Sequence, residues 1–154
     1  EKGKKIAANV IRKHRLWEVF LVEKLNFHWD EVHEIAEQLE HIQSEELITR
    51  LDKFLGSPDF DPHGDPIPDS DGNFSVPNRV LLSVLKKDEA GICVGVKDSS
   101  VEFLQYLDKN KISLGKKIEV VEKEEFDQSM VIVVDGNELR ISNQIATNLF
   151  IKTI

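Results

Sequence analysis

The sequence predicts an α+β protein, an all-α amino-terminal domain followed by a small β-barrel, and three observations carry the prediction. Up to residue 55, apolar side chains recur at three- and four-residue steps, the period of a buried helix face. Beyond residue 78 they come instead as short Val/Ile/Leu runs bounded by turn residues. All five prolines of the chain fall between, from Pro58 to Pro77. The boundary is placed in that stretch, near Asp69–Asn78, giving a helical domain of residues 1–72 and a barrel domain of residues 73–154.

The first helix carries Ile6, Val10, His14, Trp17, Glu18, Leu21 and Leu25 on one stripe, apolar and titratable side chains together. Asn26–Trp29 interrupts it. Asp30 and Glu31 suit the first turn of a second helix, where carboxylates meet the positive end of the helix dipole. Its apolar positions are Val32, Ile35, Ala36, Leu39 and Ile42. Ser44 is the expected N-cap of a third helix with Leu47, Ile48, Leu51, Phe54 and Leu55, stopped by Gly56 and Pro58. In the second half, strands are expected at 80–85, 91–96, 117–121, 130–134 and 138–141, with Asp135-Gly136 as a hairpin turn. One helix interrupts them, capped by Ser99 or Ser100 and facing inward with Val101, Leu104 and Leu107. Five strands and one helix in so short a segment suit a small barrel.

Composition excludes several classes. The chain has 154 residues with 20 Lys+Arg against 28 Asp+Glu, a net charge of −8, which makes it a poor nucleic-acid binder by itself. Its one cysteine, Cys93, excludes a disulfide framework and a multi-cysteine zinc module, and suits a cytoplasmic location. The longest apolar runs fall far short of the roughly 20 residues of a membrane helix. No signal peptide is expected, since the amino end is charged and carries no apolar h-region.

The chemistry concentrates in the helices. On a wheel of roughly 100° per residue, Glu40, His33, Glu37 and His41 share one arc beside the apolar face of the second helix. His14 and Glu18 stand one turn apart inside the stripe of the first, where an unpaired charge is expensive. Mixed imidazole and carboxylate ligands suit first-row divalent ions. Three readings stay open on residues alone: a metal site, a solvated charged face on a plain protein-binding barrel with a helical dimerisation arm, and a di-metal carboxylate enzyme. The last needs Glu-x-x-His on two helices, and Asp30-x-x-His33 is the one partial match. His63, in the Pro-rich loop, is expected to bond backbone; His28 is expected to be exposed or capping, and Cys93 a small core residue.

Arg12-Lys13-His14-Arg15-Leu16-Trp17-Glu18, Val32-His33-Glu34, Glu37-Gln38-Leu39-Glu40-His41 and Asp61-Pro62-His63-Gly64-Asp65-Pro66-Ile67-Pro68 follow in a specific order and spacing. That pattern resembles the diphtheria-toxin-repressor family of metal-dependent transcriptional regulators. From Val80 onward the chain is similar to the FeoA-like small barrel of many members. The resemblance implies the metal-sensing and dimerisation portion of a DNA-binding repressor of metal homeostasis, not an enzyme, with Mn²⁺ or Fe²⁺ as cofactor and Zn²⁺, Co²⁺ or Ni²⁺ as substitutes in vitro. It implies one site at His14, Glu18 and His33, completed by Glu102 from the barrel, and a second, activating site at Glu37, Glu40 and His41. Manganese-type members arrange these residues as a pair of nearby ions, so the partition between the sites stays open.

Three departures qualify the resemblance. Glu1-Lys2-Gly3-Lys4-Lys5-Ile6-Ala7 is similar to the end of a wing entering the connecting helix, so the winged-helix domain that would contact operator DNA is expected to be missing. Glu37 stands where iron-type members have Cys, as in manganese-type members. Ser99 and Glu102 match the barrel's ligand stretch, and only Glu102 is a ligand type. The thin core of three helices predicts a homodimer through them, and no membrane partner is expected.

Overall fold

The computed structural model describes residues 2–154; Glu1, first residue of the stretch read as the end of a wing, lies outside the described residues. The chain forms two compact units, Glu1–Pro77 and Asn78–Ile154. The first holds α1 (Lys2–Leu25), α2 (His33–Leu39) and α3 (Glu45–Phe54). Lys2–Ala7 are therefore helical rather than wing.

Helix α1 has 24 residues, about 36 Å at 1.5 Å per residue, while α2 and α3 have 7 and 10. The short helices cannot cover the long one. Leu16, Trp17 and Leu21 are buried against Val32, Ala36, Ile48 and Leu51. Ile6, Val10 and Leu25, on the same expected stripe, are exposed. Buried Arg12 and Lys13 reach Asp52 and Glu45, at 3.7 and 3.9 Å, and fasten α1 to α3. Ser44 caps α3 by accepting from the Leu47 N–H at 3.1 Å.

Helix α2 is shorter than the pattern predicts. Asp30 and Glu31 precede it in a turn, and it ends at Leu39. The Ile42 N–H donates to the Leu39 carbonyl, three residues back, so the α-helical ladder tightens and stops there. His41 and Ile42 thus lie beyond the wheel on which they were placed.

The second unit is an antiparallel sheet in the order β1-β6-β2-β3-β4-β5, from β1 (Val80–Leu81), β2 (Ala90–Val96), β3 (Lys117–Lys123), β4 (Met130–Val134), β5 (Asn137–Ile141) and β6 (Leu149–Thr153). Helices α4 (Val101–Lys109) and α5 (Asn143–Ala146) complete it, α4 capped by Ser100. Among the described residues the order has two ends, so the expected barrel is an open sheet. Strand β1 has two residues because Leu82–Val84 form a 3₁₀ turn, whose Ser83 carbonyl accepts from Lys123 Nζ at 2.6 Å. Asp135 and Gly136, at φ 50° and 78°, make the hairpin turn between β4 and β5. Burial pushes the Cys93 thiol up to about 11, which leaves it inert in the core.

Candidate metal centre

Helix α1 projects His14 and Glu18 one turn apart on one face, and the fold buries Glu18 to 3% exposure. The His14 ring lies between carboxylates, with Nε2 3.5 Å from Glu18 Oε2 and Nδ1 3.4 Å from Glu40 Oε2. His33, at the start of α2, stands 4.9 Å from His14 between ring centroids. One ligand atom from each of His14, Glu18 and His33 lies within 4.8 Å of the others. Two donors opposite each other on a divalent ion are about 4.4 Å apart at bonds of ~2.2 Å, so a small contraction closes the set.

The electrostatics suit a cation. Burial alone would lower the His14 pKa, but its hydrogen bond to Glu18 and the charges of Glu18, Glu40 and Asp61 outweigh it and raise the pKa. Burial raises the Glu18 pKa, and Asp61 adds to it, against the opposing pull of His14 and His63. Two imidazoles and a buried carboxylate are a donor set for Mn²⁺, Fe²⁺ or Zn²⁺, and a dication there would offset the crowding of negative charge.

A second cluster shares Glu18: Glu18, Asp61 and His63, all buried, also bring ligand-type atoms within 4.8 Å. Asp61 Oδ1 accepts the N–H groups of His63 and Asp65, each at 2.9 Å. Although burial acts to raise the Asp61 pKa, His63, Glu18 and the Asp65 N–H overcome it and hold the group low. For His63 burial acts downward, yet Asp61, Glu18 and the Trp29 carbonyl push it up to about 9. His63 does bond backbone, Nε2 meeting the Trp29 carbonyl at 2.6 Å. Its contact with Glu18 has no signature in the sequence; the one local signal is Asp61 two residues before His63, a spacing that suits an Asx turn.

The remaining expected ligands are spread out. Glu40 approaches His14, and Glu37 approaches His33 at 3.8 Å with both side chains exposed. His41 is exposed after α2, and Glu102 is exposed in the first turn of α4, in the second unit. Neither belongs to a three-residue ligand group among the described residues.

Comparison with known proteins bears on both units. Residues 1–69 match the model of the "iron dependent repressor, metal binding and dimerisation domain", and residues 80–153 match the FeoA domain. The iron-dependent repressor IdeR of Mycobacterium bovis is 47% identical over 68 residues, 44% of this chain and 30% of its own length. A protein of Chlamydia trachomatis named "probable metal transport system membrane protein" is also 47% identical over 68 residues, 15% of its length. The chain thus matches less than a third of these relatives. A solved manganese-dependent transcriptional repressor in complex with manganese superposes with a TM-score of 0.92 at 34% identity, over 100% of this chain and 73% of that one.

Proposed function

Because the chain belongs to the family of iron- and manganese-dependent transcriptional repressors, we propose that its helical unit binds Mn²⁺ or Fe²⁺ through His14, Glu18 and His33. Glu40 and Glu37 stand beside two of those ligands, and His41 and Glu102 remain candidates by resemblance. The observation that carries the reading is the convergence of three donors from two helices within 4.8 Å. An ion held there supplies positive charge that links α1 to α2. The carboxylate at Glu37, where a thiolate would favour softer metals, suits Mn²⁺.

In the whole protein, a winged-helix portion outside this chain would contact operator DNA, and metal would act by favouring the DNA-competent arrangement. The work is regulation in the cytoplasm rather than catalysis. The chlamydial match favours a second reading of the whole protein, in which the same module senses the ion for a transport system.

Titration of the chain with Mn²⁺, followed by the fluorescence of Trp17 and Trp29, is expected to give a saturable change. His14→Ala should weaken that binding at least tenfold, about 1.4 kcal/mol. An unchanged isotherm in the variant would remove His14 from the site.

We also propose a homodimer through the helical unit. Ile6 at 63% and Phe54 at 62% exposure are apolar surface that α2 and α3 leave open. Sedimentation velocity at micromolar concentration is expected to show the two-chain species; a monomer throughout would refute it.

A further inference from the structure

We propose that the sheet unit binds an oligophosphate anion, free or carried by a nucleotide, in a groove beside strand β3. The groove holds about 500 Å³ and is lined by Lys86, Lys87, Lys123, Glu125 and Gln128. Three basic residues thus line it with one acidic one, in a chain whose net charge is −8. A cation would meet repulsion there, whereas an anion of several charges would be drawn in. The candidate metal centre lies in the other unit, and the two sites stand or fall separately.

Both walls of the groove are fixed by hydrogen bonds. On one side the turn 86–89 is tied to β3. The Asp88 N–H donates to the Val120 carbonyl at 2.8 Å, and the Val120 N–H donates to the Glu89 carbonyl at 2.9 Å. On the other side the loop 124–129 closes on itself. Its Glu124 N–H donates to the Ser129 carbonyl at 2.8 Å, and its Gln128 N–H to the Glu124 carbonyl at 2.9 Å. Lys123, half-buried, is held as well, with Nζ donating to the Ser83 carbonyl at 2.6 Å and reaching the Leu85 carbonyl at 3.4 Å. An ammonium carries three N–H groups, so one remains for a ligand.

Carboxylates of the same two segments are turned to backbone. Glu89 Oε1 accepts the Lys86 N–H at 2.7 Å, Glu124 Oε1 the Phe126 N–H at 3.3 Å, and Asp127 Oδ1 the Ser129 N–H at 2.9 Å. Among the described residues, Lys86, Lys87 and Lys123 form no salt bridge. Positive charge is therefore left uncompensated at the groove, and phosphate oxygens are acceptors that ammonium groups bind as point charges. Phe126, next to Glu125 in the sequence, is 94% exposed and offers an aromatic face for a base. A groove of this volume is of small-molecule size.

The test is calorimetric titration of the chain, with metal removed beforehand, with tripolyphosphate and with ATP. Saturable binding that weakens as salt is raised is expected. Joint Lys86→Glu and Lys87→Glu, at two exposed positions, should weaken both ligands roughly tenfold or more, and Glu125→Gln should tighten both about threefold. Phe126→Ala separates the two sources. Weaker ATP binding with tripolyphosphate unchanged identifies a nucleotide, and no effect on either identifies the oligophosphate alone. Absence of saturable binding for both ligands overturns the proposal, as does binding that the lysine and glutamate variants leave unchanged. Amide shifts in ¹H–¹⁵N NMR read the parent chain directly, whether or not a variant folds. They are expected at 83–89 and 123–128, and shifts confined to the helical unit would refute the assignment.

Discussion

Asp61→Ala is expected to destabilise the helical unit by about 3–5 kcal/mol, the range for removing one partner of a buried ion pair. The side chain of Asp61 is 1% exposed and serves the imidazole of His63 and two backbone N–H groups at once. Its removal takes away the largest influence that raises the pKa of the buried His63 ring, and it leaves two backbone donors without their acceptor. Asp61→Asn keeps an oxygen for the N–H groups and loses the charge, so a smaller loss of about 1–3 kcal/mol is expected. Urea unfolding followed by tryptophan fluorescence measures both, since the chain's two tryptophans, Trp17 and Trp29, lie in this unit. A loss below about 1 kcal/mol for the alanine variant would mean that the loop relaxes and rehydrates.

Gly91→Ala should cost the sheet unit about 2–3 kcal/mol, an overpacking penalty at the upper end of its usual range. A Cβ at Gly91 would come within 2.2 Å of Ile151 Cγ2 and 2.6 Å of the Lys152 carbonyl oxygen. Strand β2 lies between β3 and β6, so a shift that relieves one side compresses the other. Loss of far-UV circular dichroism at lower urea, with the tryptophan transition unmoved, is the expected signature. Coincident shifts of both transitions would show the two units unfolding together, and wild-type stability would show that β6 gives way without cost.

Local signals explain how much of this was readable from sequence. Ser44 and Ser100 were legible as caps because a hydroxyl bonding the N–H three residues on is a short-range event. Asp135-Gly136 was legible because the turn needs two positive φ angles. The residues 142–153 were not, because α5 has four residues and β6 acquires its pattern only through pairing with β1 and β2. The 3₁₀ turn after β1 depends on Lys123, far along the chain. In the candidate metal centre, His14 and Glu18 announce themselves by helical spacing, whereas His63 meets Glu18 only after the loop folds back. Periodicity carries faces of single elements and is silent on contacts between distant segments.

The open sheet has a consequence for how the protein avoids fibril-like growth. Exposed strand edges are templates on which another chain can add its own strand, and folds blunt them by brevity or by charge. Here one edge, β1, is two residues long, and the other, β5, is five residues that include Glu138 and Arg140. Neither edge offers a long flat apolar ladder. Strand addition is thereby disfavoured at both margins, and the homodimer proposed above draws on helices instead.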